Sequence, residues 1–323
     1  MFYSIRHLTR FRYSFPVSES IMELRMQPRS EANQRCLSFQ LSVTPRARVQ
    51  LYREYLGNAV HHFDVPSAHR NLMILAEASV DVAPPPPLPA RLAEDAWRQL
   101  DEQTAGGDFW EMSTASQFTP WSELMDQFAA ELNLPGPESA RQSDPLALLL
   151  SLNSAVYRAI SYVPKSTRVD SPVDDALRNR QGVCQDYSHI MLALVRRAGI
   201  PCRYVSGYLF HQAGDKMRSS EGATHAWIEA YLPGLAWTGF DPTNNMPVAG
   251  SHIRTAVGRD YADVPPTRGV FKGEPDSELM VAVRVTPSDA PPVSEPEVES
   301  GDWSEAMQQE TAAMDQAAEQ QQQ

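Results

Sequence analysis

The sequence is poor in cysteine and has no long apolar segment. Its three cysteines, an odd number at irregular spacing, do not make a disulfide framework. No run of about 18 apolar residues predicts a membrane-spanning helix. The first fifteen residues alternate charged and aromatic side chains and lack the apolar centre of a secretory signal. These absences favour a cytoplasmic protein with reduced thiols and no membrane partner.

Basic residues are missing from the end of the chain. After Val285 there are nine acidic residues and no lysine or arginine, although the whole chain carries a net charge of −12. The remainder has 31 acidic and 28 basic residues, a net charge of about −3. A nearly neutral body without a basic stripe argues against nucleic acid as a partner. Residues 287–323 have few large apolar side chains and are predicted to form a disordered acidic tail.

Apolar residues recur at every second position in the first part of the chain, as in Phe11, Tyr13 and Phe15 and again over 37–43. This period is typical of half-buried strands. Gly57-Asn58 lies between two such segments and predicts a hairpin. Residues 1–83 are therefore predicted to be an antiparallel β domain of five to eight strands. The proline-rich segment 84–89 reads as a stiff linker.

Residues 90–286 begin with helical patterns and continue with strands. Thr119-Pro120 and Asp144-Pro145 each place a capping residue and a first-turn proline before an apolar stretch. A further helix is predicted over 184–198, ended by Gly199. Strand-like runs follow over 203–210, 225–231 and 237–240, and a last strand over 279–285 is expected to complete a sheet. A helix followed by an antiparallel sheet indicates the α+β class.

Cys184 lies where a cysteine is readily activated. A thiol attacks as the thiolate, and a helix start offers unpaired backbone amides and the positive end of the helix dipole. The same amides could donate to the oxyanion that forms when the thiolate adds to an amide carbonyl. Taken alone, however, a cysteine at the position of Cys184 is more often a small buried residue without chemistry.

A base and an orienting carboxylate are predicted beside each other. His225 begins one strand, Asp241 ends the next, and the short turn over 232–236 makes the two strands hairpin neighbours. In a hairpin, the start of one strand faces the end of its partner, so the two side chains should lie close together. A nucleophile also needs such a base, held in orientation by a third group.

Three segments together resemble the core of the transglutaminase-like superfamily. They are Gly-Val-Cys-Gln-Asp-Tyr over 182–187, His-Ala-Trp over 225–227 and Phe-Asp-Pro-Thr over 240–243. Over residues 1–285 the chain is similar to the bacterial members that carry an N-terminal β domain. The resemblance implies a papain-like core, with Cys184 as nucleophile, His225 as base and Asp241 as the orienting group. It implies attack on a peptide or protein amide through a thioester.

The resemblance also suggests roles for other residues, and the sequence departs from the family pattern at some of them. Animal cross-linking members have a tryptophan at the position of Gln185 and another over the oxyanion, and neither is evident here. Tyr162 and Gln185 are candidates for the second oxyanion donor, since each can donate a hydrogen bond. Trp227 is a candidate substrate contact or a core aromatic. There is no calcium-binding loop, and no metal or other cofactor is expected.

Two further features each admit two readings. Asp186 could orient a neighbouring group or cap the helix start. Asp260-Tyr261 resembles a segment of the same bacterial proteins and could line the cleft or lie in a surface loop.

Three functions remain open at the level of the sequence. The favoured one is an enzyme whose thioester is resolved by water, as in a peptidase or amidase, or by an amine, as in a transglutaminase. The second is a non-catalytic binding or assembly module on the same fold. The third is transfer to small arylamines or cleavage of glycan amides. The oligomeric state is not indicated by any pattern.

Overall fold

Six strands occupy the first 82 residues, as the two-residue alternation of apolar side chains predicts. The computed structural model describes residues 1–212, 214 and 217–290. Burial alternates along most of the sixth strand, which therefore presents one face to a core. The strands are β1 (Phe2–Val17), β2 (Glu19–Leu24), β3 (Gln34–Thr44), β4 (Gln50–Arg53), β5 (Ala59–Val65) and β6 (His69–Val82). β4 and β5 form the predicted hairpin, and Gly57 adopts a φ of 78° in its turn.

Two strands from the far end of the described chain complete these layers. They are β14 (Thr267–Lys272) and β15 (Ser277–Ser288), which pair with β2 and β1 respectively. The result is two antiparallel sheets, ordered β15-β1-β6-β3 and β14-β2-β5-β4. The sequence assigns residues 267–286 to the second domain, but their backbone hydrogen bonds join them to the N-terminal layers. The domain boundaries themselves stay predictions.

Seven helices occupy the middle of the described chain. The start of α5 is built as predicted, since the Asp144 carboxylate accepts a hydrogen bond from the Ala147 amide at 3.0 Å. The helices are α1 (Ala96–Thr104), α2 (Trp110–Ser113), α3 (Glu123–Glu131), α4 (Pro137–Ala140), α5 (Pro145–Ala159), α6 (Val173–Asn179) and α7 (Cys184–Arg197).

A five-stranded antiparallel sheet follows α7, so the protein has the predicted α+β arrangement, with the helix that begins at Cys184 packed on the sheet. Its order is β12-β11-β10-β9-β13. These strands are β9 (Cys202–Leu209), β10 (His225–Leu232), β11 (Ala236–Asp241), β12 (Met246–Pro247) and β13 (His252–Gly258). The two-residue strands β7 (Ser161–Tyr162) and β8 (Gln181–Gly182) pair beside the start of α7. α7 packs against β9 and β10, and twelve of its residues are buried.

The N-terminal layers cover the free edge of β13. Gln34 uses its side-chain amide as a strand would, accepting from the Arg254 amide at 2.8 Å and donating to its carbonyl at 2.9 Å. Asn58 does the same to Val257, at 2.9 and 2.8 Å. These two side chains thus satisfy backbone groups that an exposed edge would leave unpaired.

Two expectations from the sequence concern membrane-spanning helices and the acidic tail. No helix among the described residues is long and apolar enough to cross a bilayer. Most of the predicted acidic tail, residues 291–323, lies outside the described residues. Its first two residues, 287 and 288, are the end of β15 and pair with Tyr3 and Phe2.

Candidate active site

Cys184 is the first residue of α7 and is half-buried. The Asp186 carboxylate caps this helix start, accepting from the Val183 amide at 2.8 Å and from the Thr167 hydroxyl at 2.5 Å. Of its two readings, Asp186 therefore acts as the cap. Burial raises the pKa of Asp186, and the hydrogen bond from Thr167 opposes that rise. Gly182 is required here, because a Cβ on it would lie 2.7 Å from the Cβ of Asp186.

Three tyrosines surround Cys184, each on a different segment. Burial raises the pKa of Tyr162, Tyr204 and Tyr261, and a negative charge on Cys184 raises it further. For Tyr261 the pKa reaches about 12. These hydroxyls stay protonated at neutral pH and are hydrogen-bond donors near the sulfur.

His225 and Asp241 are in contact at the end of the β10–β11 hairpin. Nε2 of His225 lies 2.8 Å from Oδ2 of Asp241, and both side chains are buried. The other ring nitrogen, Nδ1, is buried and has no nitrogen or oxygen partner among the described residues, whereas the Cys184 side chain is close enough to raise the pKa of the ring as a hydrogen-bond partner. This nitrogen is therefore the one available to the Cys184 thiol.

The charges of the site favour an imidazolium. Burial alone would lower the pKa of His225, but the Asp241 carboxylate outweighs burial and raises this pKa, with a further contribution from Cys184. Burial alone would raise the pKa of Asp241, but His225 and His252 hold it well below its usual range. The pair is thus most stable as imidazolium and carboxylate.

Asp241 accepts five hydrogen bonds. Its Oδ1 accepts from the backbone amides of Thr243 at 2.9 Å and Asn244 at 3.2 Å. Its Oδ2 accepts from His225, from Nδ2 of Asn244 at 2.7 Å and from Nε2 of His252 at 3.2 Å. The roles of Asn244 and His252 were not predicted. The Asp-Pro-Thr-Asn turn is a local signal for Asn244, whereas His252 comes from a strand whose position depends on the whole sheet.

One group of described residues has the spacing of a metal site. Ligand atoms of His225, Asp241 and His252 lie within 4.8 Å of one another and could hold a divalent cation. Here both imidazoles lie at hydrogen-bond distance from one carboxylate oxygen instead. The expectation that no metal is needed stays a prediction.

The remaining predicted residues lie at different distances from the sulfur. The Tyr162 hydroxyl forms a 3.2 Å hydrogen bond with the Ser220 hydroxyl beside Cys184. Gln185 is buried and donates through Nε2 to the carbonyl of Val169 at 3.0 Å. Trp227 is fully buried, and its ring centre lies 6.0 Å from that of His225. Trp227 therefore packs behind the imidazole, and the oxyanion roles of the other two stay predictions.

The Asp260-Tyr261 segment is fixed beneath the site by buried polar groups. The Asp260 carboxylate accepts from the amides of Phe118 and Ala262, both at 2.8 Å. The Tyr261 amide lies 3.2 Å from Nε2 of His189, whose ring stacks on Phe118. Burial lowers the pKa of His189 to about 3, so this ring is neutral. A negative charge on Cys184 raises the pKa of Tyr261, so Tyr261 lies near the site.

Comparison with known proteins agrees with this architecture. Residues 3–81 match the bacterial transglutaminase-like N-terminal region, and residues 135–242 match the transglutaminase-like superfamily. An uncharacterized protein of Mycobacterium leprae is 32% identical over 282 residues, which cover 87% of this chain and 96% of that protein. The chain belongs to the transglutaminase-like superfamily.

Two other matches cover part of the chain or concern its fold. A protein-glutamine gamma-glutamyltransferase of Pseudomonas aeruginosa is 34% identical over 100 residues, covering 30% of this chain and 15% of that protein. The crystal structure of a candidate cysteine protease from Cytophaga hutchinsonii superposes with a TM-score of 0.68 at 22% identity. It covers 90% of this chain and 93% of the other, so the two proteins share one fold.

Proposed function

We propose that the protein is a cysteine-dependent enzyme that attacks peptide or side-chain amides through a thioester. Cys184 is the nucleophile, His225 the acid and base, and Asp241 the group that orients the imidazole. The observation that carries this proposal is the arrangement of His225. One of its nitrogens is held 2.8 Å from a buried carboxylate, and the other has no nitrogen or oxygen partner among the described residues and is left to the Cys184 side chain, which interacts with this ring.

The first half of the reaction forms the thioester. The Cys184 thiolate adds to the amide carbonyl carbon, and the oxygen becomes an oxyanion at the amino end of α7. The C–N bond then breaks as Nδ1 of the His225 imidazolium gives its proton to the leaving nitrogen. The amine departs, the acyl group stays on sulfur, and the imidazole is left neutral.

The second half releases the acyl group. Neutral His225 takes a proton from water or from an amine as that nucleophile adds to the thioester carbonyl. Collapse of the intermediate breaks the C–S bond and restores the thiolate and the imidazolium. Water gives a carboxylic acid, and an amine gives a new amide.

We favour water as the acceptor, because Cys184 is half-buried rather than enclosed and water can reach the thioester. The Pseudomonas aeruginosa relative, a protein-glutamine gamma-glutamyltransferase by name, supports amine transfer as the second candidate. The substrate is accordingly a peptide or a protein, with an amine as a possible co-substrate. A cytoplasmic location remains part of the proposal and rests on the sequence alone.

Alkylation by iodoacetamide tests the nucleophile without knowledge of the substrate. We expect Cys184 to react quickly near pH 6, where an ordinary thiol with a pKa of about 8.5 is almost fully protonated. His225→Ala should slow this reaction by about 100-fold, because the imidazolium beside the sulfur that stabilises a thiolate is removed. Cys202→Ser, which removes a fully buried thiol on β9, is the matched control and should leave the rate unchanged.

A glutamine-containing peptide with a labelled amine then separates the two acceptors. Free acid and ammonia would indicate hydrolysis. A labelled amide without free acid would indicate amine transfer instead and would overturn the preference for water. If Cys184 in the wild-type protein reacts no faster than a free thiol near pH 6, the enzyme proposal fails. The binding or assembly module would then take its place.

A further inference from the structure

A second histidine reaches the carboxylate of the candidate triad. His252 is the first residue of β13 and is almost completely buried. Its Nε2 lies 3.2 Å from Oδ2 of Asp241, the same oxygen that lies 2.8 Å from Nε2 of His225. The two rings thus converge on one atom from different strands, since β10 and β13 lie on opposite sides of β9.

The hydrogen bonds of His252 determine which nitrogen carries its proton. Nδ1 lies 3.3 Å from the backbone amide of Ala249, and an amide can only donate. Nδ1 therefore accepts, so the proton of the neutral ring is on Nε2 and is donated to Asp241.

The surroundings of His252 favour this neutral form. Burial lowers the pKa of His252, and the positive charges of His225 and Arg254 lower it further, against the opposing effect of Asp241. The ring also meets Trp227 edge to face, with centres 5.2 Å apart. A rigid neutral ring contributes a directed N–H dipole to the site and no additional charge.

We propose that His252 is a positioning residue, whose Nε2–H fixes the Asp241 carboxylate in the orientation that His225 requires. The inference rests on the proposed function, because it concerns the stability of the same imidazolium. The backbone amides of the turn fix Oδ1. His252 and Asn244 both donate to Oδ2, the oxygen that His225 also contacts, so two further donors hold this oxygen in place.

Loss of this donor should weaken the orientation of Asp241 and leave the nucleophile in place. A hydrogen bond to a charged group contributes about 1.5–3 kcal/mol, equivalent to about 10- to 100-fold in a rate or an equilibrium. We therefore expect fewer molecules in the thiolate–imidazolium state at neutral and acid pH. Above the pKa of a free thiol no such effect is expected, because the thiol ionises there without help.

Alkylation of Cys184 by iodoacetamide at two pH values measures this difference. His252→Leu should react about 10- to 100-fold more slowly than wild type near pH 6 and at a similar rate near pH 10. His252→Gln can supply an N–H donor at a comparable reach and should stay within about threefold of wild type. His61→Leu, which removes another buried histidine far along the chain on β5, serves as the control. His252→Phe keeps the ring volume and replaces the leucine variant if that variant unfolds.

The outcomes are distinct. Equal rates for His252→Leu and wild type at both pH values would overturn the proposal. Equal slowing at both pH values would overturn it too, because only a general loss of structure or access acts so evenly. Failure of the glutamine variant to recover the low-pH rate would show that the N–H donor is not what matters.

Imidazole N–H resonances of histidine-labelled protein test His252 independently of catalysis. We expect the hydrogen-bonded N–H signals to include one each from His225 and His252, beside that of His69, whose Nδ1 donates to the Ser67 carbonyl. His252→Leu should remove its own signal, shift that of His225 and leave that of His69 unchanged. An unshifted His225 signal would refute the positioning role. If wild-type Cys184 lacks reactivity near pH 6 while this shift is seen, the proposed function fails and the positioning contact stands.

Discussion

At the scale of single residues, the two nitrogens of His225 have separate environments. Nε2 lies against a carboxylate that accepts five hydrogen bonds, and Nδ1 has no nitrogen or oxygen partner among the described residues and is left to the half-buried Cys184. In the proposed reaction, Nδ1 is therefore the nitrogen that transfers the proton. An imidazolium in this position can be stable although the ring is buried, because the carboxylate supplies the opposite charge inside the same buried cluster.

The stability of the folded protein should depend on pH through this histidine. The pKa of His225 is raised in the folded state above its usual value of about 6.5, so folding favours the protonated ring. This contribution is fully present below about pH 6.5 and is lost as the pH rises through the raised pKa. Urea unfolding should therefore show that the free energy of unfolding of wild type exceeds that of His225→Gln most near pH 6. This difference should shrink toward pH 10.

His62→Gln removes a half-buried imidazole from β5 and provides the comparison for histidine loss outside the site. A difference between wild type and His225→Gln that stays constant across the pH range would contradict the assignment of an imidazolium.

At the scale of elements, local patterns predicted much of the architecture. The hairpin at Gly57, the start of α5 at Asp144 and the extent of α7 follow from turn chemistry, capping and apolar periodicity, which act within a few residues. α3 begins at Glu123 with Ser122 as its cap, later than Thr119-Pro120 suggested. Competing caps so close together differ by little free energy, so the boundary is set by packing.

Contacts between distant elements were the part that the sequence did not reveal. The partner of β15, the approach of His252 to Asp241 and the side-chain amides that cover β13 all join segments far apart along the chain. No local period encodes such pairings. By contrast, His225 and Asp241 could be placed together because one short hairpin connects them.

The amide of Asn58 should be important for stability because it replaces a strand partner for β13. Asn58→Leu would leave the buried amide and carbonyl of Val257 without partners, and we expect a loss of about 2–4 kcal/mol in the free energy of unfolding. Urea denaturation measures this loss. Asn71→Leu, at an exposed position on β6, is the control. An equally small loss in both variants would show that water or a backbone shift satisfies the edge of β13.

At the scale of the whole molecule, the last described strands are part of the first layers. β15 runs alongside β1 from Ser288 opposite Phe2 to Ser277 opposite Tyr13, and β14 borders β2. The N-terminal sheets are therefore incomplete without residues 267–288. Their long edges would be exposed to other chains if these strands were absent.

Truncation tests this dependence. A chain ending at residue 266 should be insoluble or unable to fold, because β1 and β2 would each lose a neighbouring strand. A chain ending at residue 290 keeps both strands, and we expect Cys184 in it to be alkylated at the wild-type rate. Soluble expression and circular dichroism of the two chains test this prediction. A well-folded chain ending at residue 266 would contradict it.

The same pairing makes the region that holds the candidate site an insertion within the β region. The chain leaves that region after β6 and re-enters it at β14, so residues 83–266 are tethered at both ends to strands of the same two sheets. A core attached by one linker could swing away from its neighbour, whereas one attached by two is restricted to small displacements. Cleavage of the backbone within residues 84–89 should accordingly yield two pieces that co-migrate under native conditions and separate only in denaturant.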